Sequence, residues 1–132
     1  MRDLILVVED NLANQMLVEA VLELEGYRVV LAGSADEAVE RIRAEKPDLI
    51  LMDLQLPGQD GLTFTRTLKA DSSTRDIPIV ALTAHAMHGD SDLAYTAGCA
   101  GYIPKPIDTR MFPQQVRSFL ADSAAGDRLV AP

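Results

Sequence analysis

A single cysteine, Cys99, is present among the 132 residues, so no internal disulfide can form, which fits a reducing cytoplasm. No apolar run is long enough to cross a bilayer. The N-terminus lacks a signal-peptide layout: Met1-Arg2-Asp3 leads directly into the short run Leu4-Ile5-Leu6-Val7-Val8. A cytoplasmic chain with no membrane partner is expected. Positive charge is also scarce. Lys and Arg number 12 against 20 Asp and Glu, for a net charge of −8 and a pI near 4.6. That balance argues against nucleic-acid binding, which rests on basic surface. It suits a protein that gathers carboxylates around a divalent cation. What remains is ordinary for a globular chain, with 48% hydrophobic and 24% charged residues and the length of one domain.

The stretch Asp48-Leu49-Ile50-Leu51-Met52-Asp53 is an apolar run bracketed by carboxylates and followed by the breakers Pro57-Gly58 and Asp60-Gly61. It reads as a strand buried on both faces, with Asp48 a solvated entry residue and Asp53 at the exit. Leu4 to Val8, Arg28 to Ala32, Pro78 to Leu82 (ending at Thr83) and Gly101 to Ile103 read as four further strands. Between them, Asn14 to Glu25 has a helical stripe of Leu17, Val21 and Leu24 widened by Val18 and Leu22, stopped by Gly26. Ser34-Ala35-Asp36-Glu37 matches a capping box for a second helix, which Pro47 closes. A third helix begins near Asp60-Gly61, and a weaker fourth lies between Gly89 and Gly98. The last runs from Asp108 or later to Ala121, with Pro113 demanding a late start or a distorted first turn. One domain over 1–122 and a flexible tail over 123–132 are expected. Strands alternating with helices in this way imply a parallel sheet wrapped on both faces, with every strand's C-terminal end on one edge.

The residues delivered to that edge are Glu9 and Asp10, Asp53, Thr83 and Lys105. Carboxylates 4 Å apart repel by about 4 kcal/mol per pair at an effective dielectric near 20. A divalent cation removes that penalty, and all-oxygen ligation points to Mg²⁺, or Mn²⁺ in its place. A flavin phosphate would need a loop of amide donors after the first strand, where Glu9-Asp10-Asn11 stands instead.

From about Asp3 to Leu120 the chain resembles the receiver domain of two-component response regulators. The likeness rests on Val8-Glu9-Asp10-Asn11, on Leu51-Met52-Asp53-Leu54-Gln55-Leu56-Pro57-Gly58 with Asp60-Gly61, on Leu82-Thr83-Ala84, and on Gly101-Tyr102-Ile103-Pro104-Lys105-Pro106. The resemblance implies a flavodoxin-like, doubly wound α/β fold: a five-stranded parallel sheet in the order 2-1-3-4-5 with five helices on its two faces. It implies that Asp53 accepts a phosphoryl group from a phosphohistidine of a histidine kinase or histidine phosphotransfer protein. Mg²⁺ would be held by Asp10, Asp53 and the Gln55 backbone carbonyl, with Glu9 acting through a metal-bound water. Lys105 would reach a phosphoryl oxygen, Thr83 and Tyr102 would form a two-state switch, and the Lys105-Pro106 bond would be cis. A downstream target would dock on the last two helices and the fifth strand.

A stand-alone regulator without an output domain is expected first. A receiver module of a hybrid kinase or longer regulator is the alternative. A Mg²⁺-dependent phosphohydrolase would need an acid two residues beyond Asp53, where Gln55 stands, and a phosphorylation-independent adaptor would leave the acceptor unused. His85 and His88 have no further His or Cys nearby and read as loop residues; Cys99 reads as core. Gln59 stands where the family often has methionine, and His85 lies two residues beyond the switch threonine.

Overall fold

Five short apolar runs set the architecture. In the computed structural model they form β1 (Leu4–Val8), β2 (Arg28–Ala32), β3 (Leu49–Asp53), β4 (Ile79–Thr83) and β5 (Gly101–Pro104). The helices between and after them are α1 (Leu12–Leu24), α2 (Ala35–Ala44), α3 (Gly61–Ala70), α4 (Asp90–Ala97) and α5 (Phe112–Val130). The structure describes residues 3–56, 58, 60–84 and 89–130, the side chains at 90, 91 and 122–130 excepted. Expectations for Pro57, Gln59, His85 and His88 fall outside the described residues.

The strands pair in parallel in the order β2-β1-β3-β4-β5, as expected. Alternation along each strand divides the core in two. Leu6, Val8, Ile50, Met52, Ile79 and Ala81 pack toward Ala38 of α2, Phe64 and Leu68 of α3, and Ala94 of α4. Their neighbours Ile5, Val7, Leu49, Leu51, Val80 and Leu82 pack toward Val18 and Leu22 of α1 and Phe112 and Val116 of α5. β1, β3 and β4 are buried throughout, and each large aliphatic side chain so buried contributes about 1.5–3 kcal/mol.

Local chemistry sets the helix ends. The Asn11 side chain accepts a hydrogen bond from the Asn14 backbone amide at 3.0 Å, so α1 begins at Leu12 rather than Asn14. Its buried face is centred on Val18 and Leu22, while Leu17 and Leu24 of the expected stripe are exposed. The Ser34 hydroxyl accepts from the Glu37 amide, but Glu37 reaches back to the Gly33 amide rather than to Ser34. Gly26 follows α1 with a φ of 90°, a left-handed turn that favours glycine.

Pro113 is the second residue of α5, inside the first turn, where its missing amide would have had no partner within the helix. The late start therefore wins over distortion. α5 does not stop at Ala121 but continues to Val130. Ala124, Ala125 and Leu129 are good helix formers, so weak periodicity there does not prevent helix. Asp48 is exposed as expected, yet it is tied to β1: its Oδ2 accepts from the Leu4 amide at 2.8 Å, and its own amide donates to the Leu4 carbonyl.

Candidate functional site

The sheet order brings the ends of β1 and β3 side by side, because the two strands are hydrogen-bonded neighbours. Glu9 and Asp10 follow β1 and Asp53 closes β3. These three each offer a carboxylate oxygen, and the three oxygens lie within 4.8 Å of one another. Glu9 is 1% and Asp53 4% exposed, whereas Asp10 faces solvent. The Glu9 backbone amide donates to the Ala32 carbonyl at 2.9 Å, which fixes the turn leaving β1. The Gln55 amide donates to Asp53 Oδ1 at 3.0 Å and folds the chain back beside the carboxylate.

Lys105 arrives from beyond β5. Its backbone amide donates to the Thr83 carbonyl at 2.8 Å, and the Lys105-Pro106 peptide is cis, as expected. Its Nζ donates to Glu9 Oε1 at 2.9 Å and pairs with Asp53 Oδ2 at 3.2 Å, with only 18% of the side chain exposed. Thr83 is buried at the end of β4. Tyr102 is half-buried, its ring edge-on to Tyr95 with centroids 6.2 Å apart.

One ammonium serves two buried carboxylates, and the electrostatics reflect the shortfall. Burial, reinforced by the close approach of the Asp53 carboxylate, pushes the Glu9 carboxyl up from the usual 4.5 to about 7, although Lys105 and Asn14 pull it the other way. Burial draws Lys105 down, but its bond to Glu9 and the field of Asp53 outweigh that and hold its pKa above the ordinary range.

The site fits a hard cation. All its ligand atoms are oxygen, and Glu9 Oε2 is buried without a hydrogen-bond partner. Chemically the arrangement can hold such an ion beside a carboxylate, with a lysine aimed at the same point.

Over residues 5–117 the chain matches the sequence profile of the response regulator receiver domain. It belongs to that family. A polar-differentiation response regulator DivK of Brucella ovis is 42% identical over 119 residues, covering 90% of this chain and 97% of the relative. The receiver domain of a sensor histidine kinase from Pseudomonas aeruginosa, solved with a magnesium ion coordinated in its active-site cleft, superposes with a TM-score of 0.83 at 37% identity. That comparison covers 92% of this chain and 99% of the other. A CheY-like receiver domain protein of Methanospirillum hungatei gives a TM-score of 0.86 at 26% identity, covering 96% of this chain and 99% of that one.

Of the strand-end residues singled out in the sequence, the structure brings Glu9, Asp10, Asp53 and Lys105 together and ties Thr83 to Lys105 through the backbone. Two features of this receiver were not anticipated. Asn14 and Gln15 on α1 both bond to Glu9: Asn14 Nδ2 donates to Glu9 Oε1 at 2.6 Å and Gln15 Nε2 to the Glu9 carbonyl at 2.5 Å. Placing the helix start at Asn11 would have brought both amides beside Glu9 in the first turn. Gly61 packs against the main chain of Asp53 and Leu54, and the buried Thr65 hydroxyl donates to its carbonyl at 2.7 Å.

Proposed function

We propose that this receiver accepts a phosphoryl group on Asp53 from a phosphohistidine of a histidine kinase or histidine phosphotransfer protein. The observation that carries the reading is the convergence of Glu9, Asp10 and Asp53 on one point, with Lys105 bonded to two of them.

In this reading Asp53 presents its carboxylate at the exit of β3. A bond forms from an Asp53 oxygen to phosphorus, the phosphorus–nitrogen bond breaks, and the electron pair leaves with the imidazole. Lys105 neutralises the transferring oxygens as a point charge. Thr83 offers a hydroxyl at the end of β4. Glu9, Asp10, Asp53 and the backbone carbonyl of Gln55 are the groups that would hold Mg²⁺, or Mn²⁺ in its place, Glu9 through a bound water. The ion, when bound, offsets the negative charge gathered around the phosphoryl group. The protein would catalyse only its own phosphorylation and dephosphorylation.

The new charge at Asp53, roughly −2 by comparison with other phosphorylated side chains, biases a switch in which Thr83 moves toward the phosphoryl group and Tyr102 turns inward. The downstream protein docks on α4, β5 and α5, where Leu93 and Tyr95 of α4 and Met111, just before α5, are exposed. We take 1–122 as the receiver, and the match to 97% of the length of a DivK response regulator supports reading it as a stand-alone, cytoplasmic regulator. The likeness to the receiver of a sensor histidine kinase supports a second reading, a module of a hybrid kinase or longer regulator. The neighbouring coding sequence separates the two.

Intact mass after incubation with Mg²⁺ and acetyl phosphate tests the central step. The wild type should gain one phosphoryl group and Asp53→Asn none. No gain by the wild type, or an equal gain by both, would remove Asp53 from the role.

A further inference from the structure

Glu9 is held at every polar atom but one. Its amide donates to Ala32 and its carbonyl accepts from Gln15. Oε1 accepts both Lys105 Nζ at 2.9 Å and Asn14 Nδ2 at 2.6 Å. Oε2 is buried and accepts nothing. A carboxylate has two equivalent oxygens, so something must decide which turns to the lysine and which stays open. Lys105 alone does not decide it, because a flexible ammonium follows either oxygen. Asn14 can, because the first turn of α1 fixes its direction and its amide is a donor of fixed geometry.

We propose that Asn14 is a positioning residue that orients the Glu9 carboxylate, reserving Oε1 for Lys105 and leaving Oε2 for a divalent cation or its bound water. The inference rests on the cation site described above and adds a residue that touches neither the ion nor the phosphoryl group. Asn14 is the amide side chain that bonds the Glu9 carboxylate among the described residues. Gln15 acts differently, anchoring the backbone through the Glu9 carbonyl. Residues that orient a ligand from behind typically change metal affinity by about 10–100-fold when removed.

The test is a double-mutant cycle on Mn²⁺ binding, with free Mn²⁺ read by electron paramagnetic resonance. No phosphodonor is needed. Asn14→Ala should weaken binding by about tenfold. In a Glu9→Ala background the same change should alter affinity by about twofold or less, since there is no carboxylate left to orient. Thermal melts in EDTA should show Asn14→Ala folded and modestly less stable than wild type, since the buried Glu9 carboxylate loses a donor that the helix propensity of alanine only partly offsets.

Equal Mn²⁺ affinity for wild type and Asn14→Ala would overturn the proposal. So would an equal loss in both backgrounds, which would mark a general effect on α1. If the wild type itself held no Mn²⁺, the cation site would fall and Asn14 with it. The wild-type measurement therefore separates that failure from failure of the Asn14 role alone.

Discussion

Gly61 lies so close to Asp53 that a side chain on it would collide with the Asp53 carbonyl oxygen. The first residue of α3 thus sets how far the loop after β3 can lie from Asp53. The obstacle is backbone, which cannot turn aside as a flexible side chain would. Gly61→Ala should lower stability by about 1–3 kcal/mol and displace Asp53 and the Gln55 amide that bonds it. Urea denaturation checks the first effect, and the rate of phosphoryl gain from acetyl phosphate the second. A variant with wild-type values in both would show that the loop yields freely.

Lys105 stands between two carboxylates that are nearly inaccessible to solvent. Removing one partner of a buried ion pair leaves the others uncompensated. Lys105→Ala should lower the stability of the metal-free chain at pH 8 by on the order of 3 kcal/mol. Phosphorylation should slow by about 10²-fold, the scale for losing a group aimed at transition-state charge. Chemical denaturation in EDTA and timed mass spectrometry measure the two.

A third expectation concerns pH. The Glu9 carboxyl is raised to about 7 in the folded chain against 4.5 ordinarily, chiefly by burial. Below about 4.5 both folded and unfolded chains hold its proton, and Glu9 carries no penalty. Between 4.5 and 7 the folded chain keeps a proton that the unfolded chain has released, so stability falls as pH rises, and above about 7 the loss is complete. Urea midpoints in EDTA between pH 4 and pH 8 should therefore fall more steeply for wild type than for Glu9→Gln. Parallel curves would mean that Glu9 ionises normally.

Cys99 is 6% exposed, and burial pushes its thiol up, against smaller opposing effects of Thr65 and Lys69. Iodoacetamide attacks the thiolate, so native protein at pH 8 should alkylate at least about tenfold more slowly than protein in urea. Mass spectrometry after timed quenching follows the reaction. Similar rates would show that the thiol is open and inert burial is the wrong account.

The sheet could be read from sequence because β1, β3 and β4 are buried on both faces and carry unbroken apolar runs. Strand ends follow from topology, so Glu9, Asp10, Asp53, Thr83 and Lys105 could be brought together without coordinates. What periodicity missed lies where a side chain serves two masters. Asn11 looked like loop because it caps α1 from outside, and the misplaced start hid Asn14 and Gln15. Leu17 and Leu24 are apolar but point outward, since a helix with leucines on several faces does not declare which one it buries. Gly61 was legible as a breaker at the start of α3, but residue type alone does not say which backbone it approaches.

The backbone bond from Lys105 to the Thr83 carbonyl couples two strand ends that hold chemistry. If Thr83 is drawn toward a phosphoryl oxygen by its hydroxyl, its main chain carries the lysine's anchor along. Hydroxyl and ammonium would then advance as a geared pair rather than as separate fingers, so loosening either grip should slacken both.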